Sequence, residues 1–183
     1  MTYYGAGDLA ASFRQVRSNT IQIAEEIPED KYSFRAAPDT RSAGQTLVHI
    51  ALAPGLQLHL HRNRIGDLQS VNFAELVAPR AAEETRPRTK AEIVVLLESE
   101  RDVFASYLEG LTEAFLAEAV KMPPGAQPAT KTRFEMLMSV KEHEMHHRGQ
   151  LMVLQRMMGL TPHLTRQMQE RMARRAAEAQ AAR

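Results

Sequence analysis

An all-α fold, a four-helix bundle with an extra helix at its C-terminal end, is predicted by three features of the sequence. Apolar residues recur at steps of three and four along the long segments, the period of helices that each bury one face. Three helix starts carry a reciprocal capping pattern, Ser42 with Gln45, Thr89 with Glu92 and Thr132 with Glu135, in which each side chain satisfies the other residue's orphan backbone N–H. Neither strand-period alternation nor an internal repeat is visible. The 183 residues, 44% of them hydrophobic, suffice for one self-contained core. The expected division is a bundle over 1–162 and a helical extension over 163–183.

The first helix is drawn by Leu9, Phe13, Val16, Thr20, Ile23 and Ile27 and ends at Pro28. Residues 28–41 read as an ordered loop, broken by two prolines and anchored by Tyr32 and Phe34. On the second helix His49 shares a face with Leu52, Ala53, Leu56 and Leu60, and Pro54 with Gly55 predicts a kink one turn beyond it. His59 and His61 lie about 15–18 Å further along the axis, too far to share an ion with His49, and are read as solvent or interface histidines. Residues 63–88 read as a long connection crossing one end of the bundle. The third helix follows from Thr89 through Ile93, Leu97, Phe104 and Leu108, with Glu100 on its apolar face; a short helical turn is expected within Thr112–Val120. The fourth runs from Thr132 to about Met158, closed by Gly159 and Pro162. Beyond it, Leu164, Met168 and Met172 mark a fifth helix, expected to dock and then to fray toward Arg183.

Composition removes several function classes. Lys and Arg number 23 against 22 Asp and Glu, a net charge of +1 that gives no field to draw in nucleic acid or an anionic membrane. No cysteine is present, so disulfides, iron–sulfur clusters, Cys-type zinc sites and a cysteine nucleophile are excluded. Without a signal-peptide pattern or a long apolar run, a cytoplasmic protein acting on a small-molecule substrate is expected.

The chemistry concentrates in Lys141–Gln150, where three of the seven histidines occupy five positions. The fourth helix's stripe reads Val140, His143, His147, Leu151, Leu154, Met158, so His143 and His147 interrupt an apolar seam one turn apart, while His146 faces elsewhere. A bundle would turn His49, His143 and His147 inward together. A divalent ion explains three clustered imidazoles better than three unpaired core histidines do. Zinc binds such a set and keeps a position open, but nickel and iron also accept imidazole. Glu144 and Glu100, with Glu142, are the candidate acid–base or ligand-orienting carboxylates. Arg148 and Gln150 are candidates to bind substrate or cofactor, or to tie helices together. The same residues spell His-Glu-x-x-His, the zinc-protease motif with Glu144 as base. The extended form asks for glycine at 150 and histidine at 153, where this chain has Gln150 and Val153, and a carboxylate such as Glu170 would have to complete the site.

The Pro38-Asp39-Thr40-Arg41 loop leading into Ser42–His49, followed by His143-Glu144-Met145-His146-His147-Arg148-Gly149-Gln150, resembles the DinB-like superfamily of metal-binding four-helix proteins, which includes the bacillithiol-transferase-like members. The resemblance implies a three-histidine metal site open to a pocket, carried by His49, His143 and His147, and a homodimer. It also implies two activity classes. One is a metal-dependent enzyme, either an S-transferase using a low-molecular-weight thiol such as bacillithiol, mycothiol or glutathione, or a hydrolase. The other is a non-catalytic bundle that binds a metal or small ligand.

Overall fold

The computed structural model describes residues 4–181; the predicted ends of the bundle at residue 1 and of the extension at Arg183 lie outside the described residues. The chain forms the expected all-α four-helix bundle. Its long members are α1 (Ala6–Glu26), α2 (Ala43–Leu52) leading into α3 (Pro54–Arg62), α5 (Lys90–Glu109) and α7 (Arg133–Met157). All three predicted capping boxes form, at Ser42, Thr89 and Thr132. Helix α1 packs on α5 and α7, and α2 packs on the same two helices.

The core divides along the bundle axis. Towards one end Ile23, Ile27, Leu47, Ile50, Leu97 and Leu151 pack together. Towards the other, Leu9, Phe13, Phe104, Leu108 and Leu137 do so, with the Phe13 and Phe104 rings edge to face at 4.8 Å between centroids.

Near the junction of these clusters lies a charged pair. Arg17 and Glu144 are 0% and 1% exposed, and Nε of Arg17 donates to both carboxylate oxygens at 2.9 and 3.0 Å. The rest of the guanidinium serves the backbone: Nη1 donates to the Leu97 carbonyl and Nη2 to the Ile50 carbonyl, each at 3.0 Å. The second bond answers the predicted kink. Pro54 has no N–H to offer the carbonyl four residues back, which is that of Ile50, and Arg17 from α1 supplies the missing donor.

Four readings of the sequence are corrected. Residues 63–88 are not a simple connection, for Phe73–Thr85 forms α4, started by the Asn72 side chain accepting from the Glu75 N–H and continuing through Pro79. Helix α4 lies against α2. The expected turn after α5 is there as α6 (Glu113–Leu116), but a two-stranded antiparallel hairpin follows, β1 (Ala119–Lys121) with β2 (Thr130–Thr132); strands of three residues are too short to show an alternation. His61 is not a solvent histidine. It is 1% exposed and held between Arg133 Nη1 and Gln57 Oε1, each at 3.0 Å. Helix α8 (His163–Ala181) docks only by its first turn, where Pro162 and His163 are buried, and Met168 and Met172 are exposed. Among the described residues, no helix is long and apolar enough to cross a membrane.

Candidate metal centre

Antiparallel packing of α2 on α7 brings His49 to His143 and His147. The Nε2 atom of His143 lies 3.1 Å from Nε2 of His49 and 3.1 Å from Nε2 of His147. One ligand atom from each of the three rings falls within a 4.8 Å span, and all three side chains are half-buried.

The far sides of two rings fix their tautomers. Nδ1 of His49 donates to Glu84 Oε1 at 2.5 Å, and Nδ1 of His147 donates to Gln150 Oε1 at 2.7 Å. Both Nε2 atoms therefore carry lone pairs. His143 Nε2 sits between them and has at most one proton to share, so at least one of the two short contacts has no proton to bridge it unless a cation stands among them. The residues present thus fit a divalent ion, held by three imidazole nitrogens with carboxylate and amide support behind.

Burial keeps His143 and His147 neutral. Burial, reinforced by the neighbouring imidazoles and Arg41, lowers His143 to about 4. Burial also lowers His147, with the Gln150 hydrogen bond opposing it. For Glu84 desolvation pushes upward, but hydrogen bonds from His49 and from Arg41, whose Nε lies 2.8 Å from Oε2, outweigh it and hold the carboxyl below its ordinary value. His143 and His147 are thus imidazoles that need not shed protons to bind an ion.

Beside the histidines opens a cleft of about 710 Å³, with Asp39, Thr40 and Arg41 of the loop, Thr46 of α2, and His147 and Gln150 of α7 in its wall. Its position gives a ligand of drug-like size direct access to His147.

The other predicted site residues are placed differently. Glu144 follows His143 in sequence, yet both its oxygens are taken by Arg17 and neither reaches a histidine. Glu100 is half-buried, and desolvation raises its pKa against the opposing charges of Arg17, Arg80 and Arg62. Glu142 is exposed, as is Glu170 on α8. Arg148 is half-buried, with Nη1 lacking a hydrogen-bond partner. Gln150 alone of the two candidate binding residues touches the cluster, bonding His147 and, through Nε2, His146 at 3.2 Å. The sequence reading missed Glu84 and the role of Arg41. An acidic residue closing a segment that opens with an Asn72 cap was the available signal for Glu84.

The sequence model of the DinB family matches residues 2–179. The chain belongs to the DinB family. Among its relatives, the uncharacterized protein YjoA of Bacillus subtilis (strain 168) is 28% identical over 156 residues, covering 85% of this chain and 92% of that one. The crystal structure of YjoA, a DinB-like protein, matches with a TM-score of 0.61 at 26% identity, over 84% of this chain and 93% of YjoA. A DinB-like protein from Bacillus cereus ATCC 10987 matches with a TM-score of 0.66 at 20% identity, covering 88% and 97%. YfiT of B. subtilis, a probable metal-dependent hydrolase with an unusual four-helix bundle topology, gives a TM-score of 0.68 at 14% identity, covering 88% and 91%. The last two likenesses establish the DinB fold, which the long helices described above share.

Proposed function

We propose that this DinB-family protein is a metal-dependent enzyme that holds a divalent ion, zinc or nickel, through His49, His143 and His147 and acts on a small molecule bound in the adjoining cleft. The observation that carries the reading is the convergence of the three Nε2 atoms while Glu84 and Gln150 occupy the other nitrogens of two of the rings. That YfiT is a probable metal-dependent hydrolase supports it.

Two reaction types fit, thiol-dependent S-transfer and hydrolysis. Bound with three protein ligands, the ion supplies a remaining position at which a thiol or water loses its proton near neutral pH. The chain itself has no cysteine, so the sulfur nucleophile of a transferase comes from a low-molecular-weight thiol. Around that centre His49 and His147 are oriented by Glu84 and Gln150. Arg41 both braces Glu84 and lines the cleft, where its charge faces an incoming anion.

Elemental analysis of the purified protein and of His147→Ala tests the first step: about one equivalent of metal in the parent and a large loss in the variant is the expected result. Absence of metal from both refutes the site. Turnover with a panel of thiols and an electrophile, or with hydrolysable esters and amides, then separates the classes; metal without turnover in any assay points to a non-catalytic metal-binding bundle.

A further inference from the structure

Two separate openings lie between α2–α3 and α7, one on either side of the histidines. The large cleft meets α2 at Thr46 and α7 from His147 to Leu154. A second cavity, of about 220 Å³, meets α2–α3 at residues 53–57 and α7 at residues 139–143, and α4 closes it with Val77 and Arg80. The imidazole cluster therefore sits between two chambers, with His143 in the wall of the smaller and His147 in the wall of the larger.

The smaller chamber combines apolar sides, Leu56, Val77 and Val140, with one cation. Arg80 is half-buried and makes no ion pair among the described residues; its one hydrogen bond there is Nη1 to the Leu76 carbonyl. Gly55 lets the guanidinium lie across α3, since a Cβ at that position would come within 3.3 Å of Nη2. Desolvation lowers the Arg80 pKa and Glu100 only partly offsets it, so the charge is short of a counter-ion. A guanidinium without an ion pair beside apolar surface calls for an anionic acceptor on a hydrocarbon stem. One planar guanidinium matches a carboxylate, whereas a phosphate dianion would want further cations or amide donors.

We propose that this cavity is a subsite for a short aliphatic carboxylate: the acyl stem lies against Leu56, Val77 and Val140, and the carboxylate pairs with Arg80. Resting on the reading of the histidines as the reacting centre, it makes the substrate a small organic acid whose acid tail occupies the smaller chamber. The reacting carbon then stands at the histidines, and the thiol or leaving group extends toward the larger cleft.

Fluorine NMR titration of the full chain with trifluorobutyrate and with neutral trifluorobutanol tests it, in metal-free and zinc-loaded protein. The acid is expected to bind about tenfold or more tighter than the alcohol. Arg80→Met removes that preference while leaving metal content unchanged, and Val77→Trp, which fills the chamber from a largely exposed position, abolishes binding of both probes. The preference persists in the metal-free protein, which distinguishes pairing with Arg80 from ligation of the ion. Equal binding of acid and alcohol, an unaltered preference in Arg80→Met, or a preference that disappears with the metal each overturns the subsite. Arg80-dependent carboxylate binding in a protein that takes up no metal would sink the enzyme reading and leave the subsite standing; metal uptake with indifference to Arg80 would do the reverse.

Discussion

Replacing Glu144 by Gln is the substitution that separates the two roles its position allows. In the fold the carboxylate is 1% exposed and accepts twice from Arg17, itself 0% exposed. Removing its charge strands a guanidinium in the core, a loss of about 3–5 kcal/mol for a buried pair broken on one side. For a chain of this length that corresponds to roughly 6–20 °C in Tm. Arg17→Met should lose as much again as a further bond: the Ile50 carbonyl, already without its helical donor because of Pro54, would add about 1–3 kcal/mol. In the double variant Arg17→Met with Glu144→Leu no charge is buried, and the loss should shrink to about the 1–3 kcal/mol of the orphaned carbonyl. Urea denaturation followed by circular dichroism gives the three free energies, and metal content of Glu144→Gln should stay at the parental value. A Glu144→Gln variant within about 1 kcal/mol of the parent, or single and double variants that simply add, would refute the argument. Retained stability with lost turnover would instead make Glu144 the base of a protease-like site.

Three further outcomes are expected. Glu84→Gln should weaken metal binding about 10–100-fold without removing a ligand, measured by competition with a chromophoric chelator; unchanged affinity would show that the carboxylate behind His49 has no part in it. His61, lowered to about 4 by burial and by Arg133, protonates in the unfolded chain before it does so in the fold. Its contribution is therefore complete above pH 6.5 and lost as pH falls from 6.5 towards 4, about 2 kcal/mol at pH 5, and urea titrations at pH 7.5 and 5 should show a correspondingly smaller loss in His61→Gln than in the parent. Gly159 has φ +81° at the end of α7, where the Leu160 N–H returns to the Gln155 carbonyl at 2.8 Å; Gly159→Ala should lower stability by about 1–2 kcal/mol, and a neutral result in the same assay would contradict the left-handed cap.

The parts of this fold that were legible in the sequence are those whose signal is local. Ser42, Thr89 and Thr132 announce helix starts because the capping partner stands three residues away. His143 and His147 announce a shared face because one turn of helix separates them, and His49 could be joined to them because it stands in an apolar stripe of its own. What failed was long-range or weakly patterned. Helix α4 has no buried residue and contains Pro79, so its segment shows no stripe to read; Glu84 was lost with it. Glu144 could be placed near the histidines by number but not by direction, because its partner Arg17 lies 127 residues away. Arg17 did leave a trace, being a charge one helical turn beyond Phe13 on an otherwise apolar face. The hairpin's strands are shorter than any period can resolve.

The distance along the chain between His49 and His143, 94 residues, also orders events during synthesis. Domains fold as the chain emerges from its N-terminal end, so α2 with His49 and α4 with Glu84 are outside the ribosome well before α7 is made. At that stage the cluster consists of a single imidazole and its carboxylate, too little to hold an ion firmly. Only when α7 leaves the ribosome and lies down against α2 do the second and third nitrogens arrive. Any ion this protein carries is thus acquired by a finished bundle, and its binding free energy adds to the stability of a fold already formed.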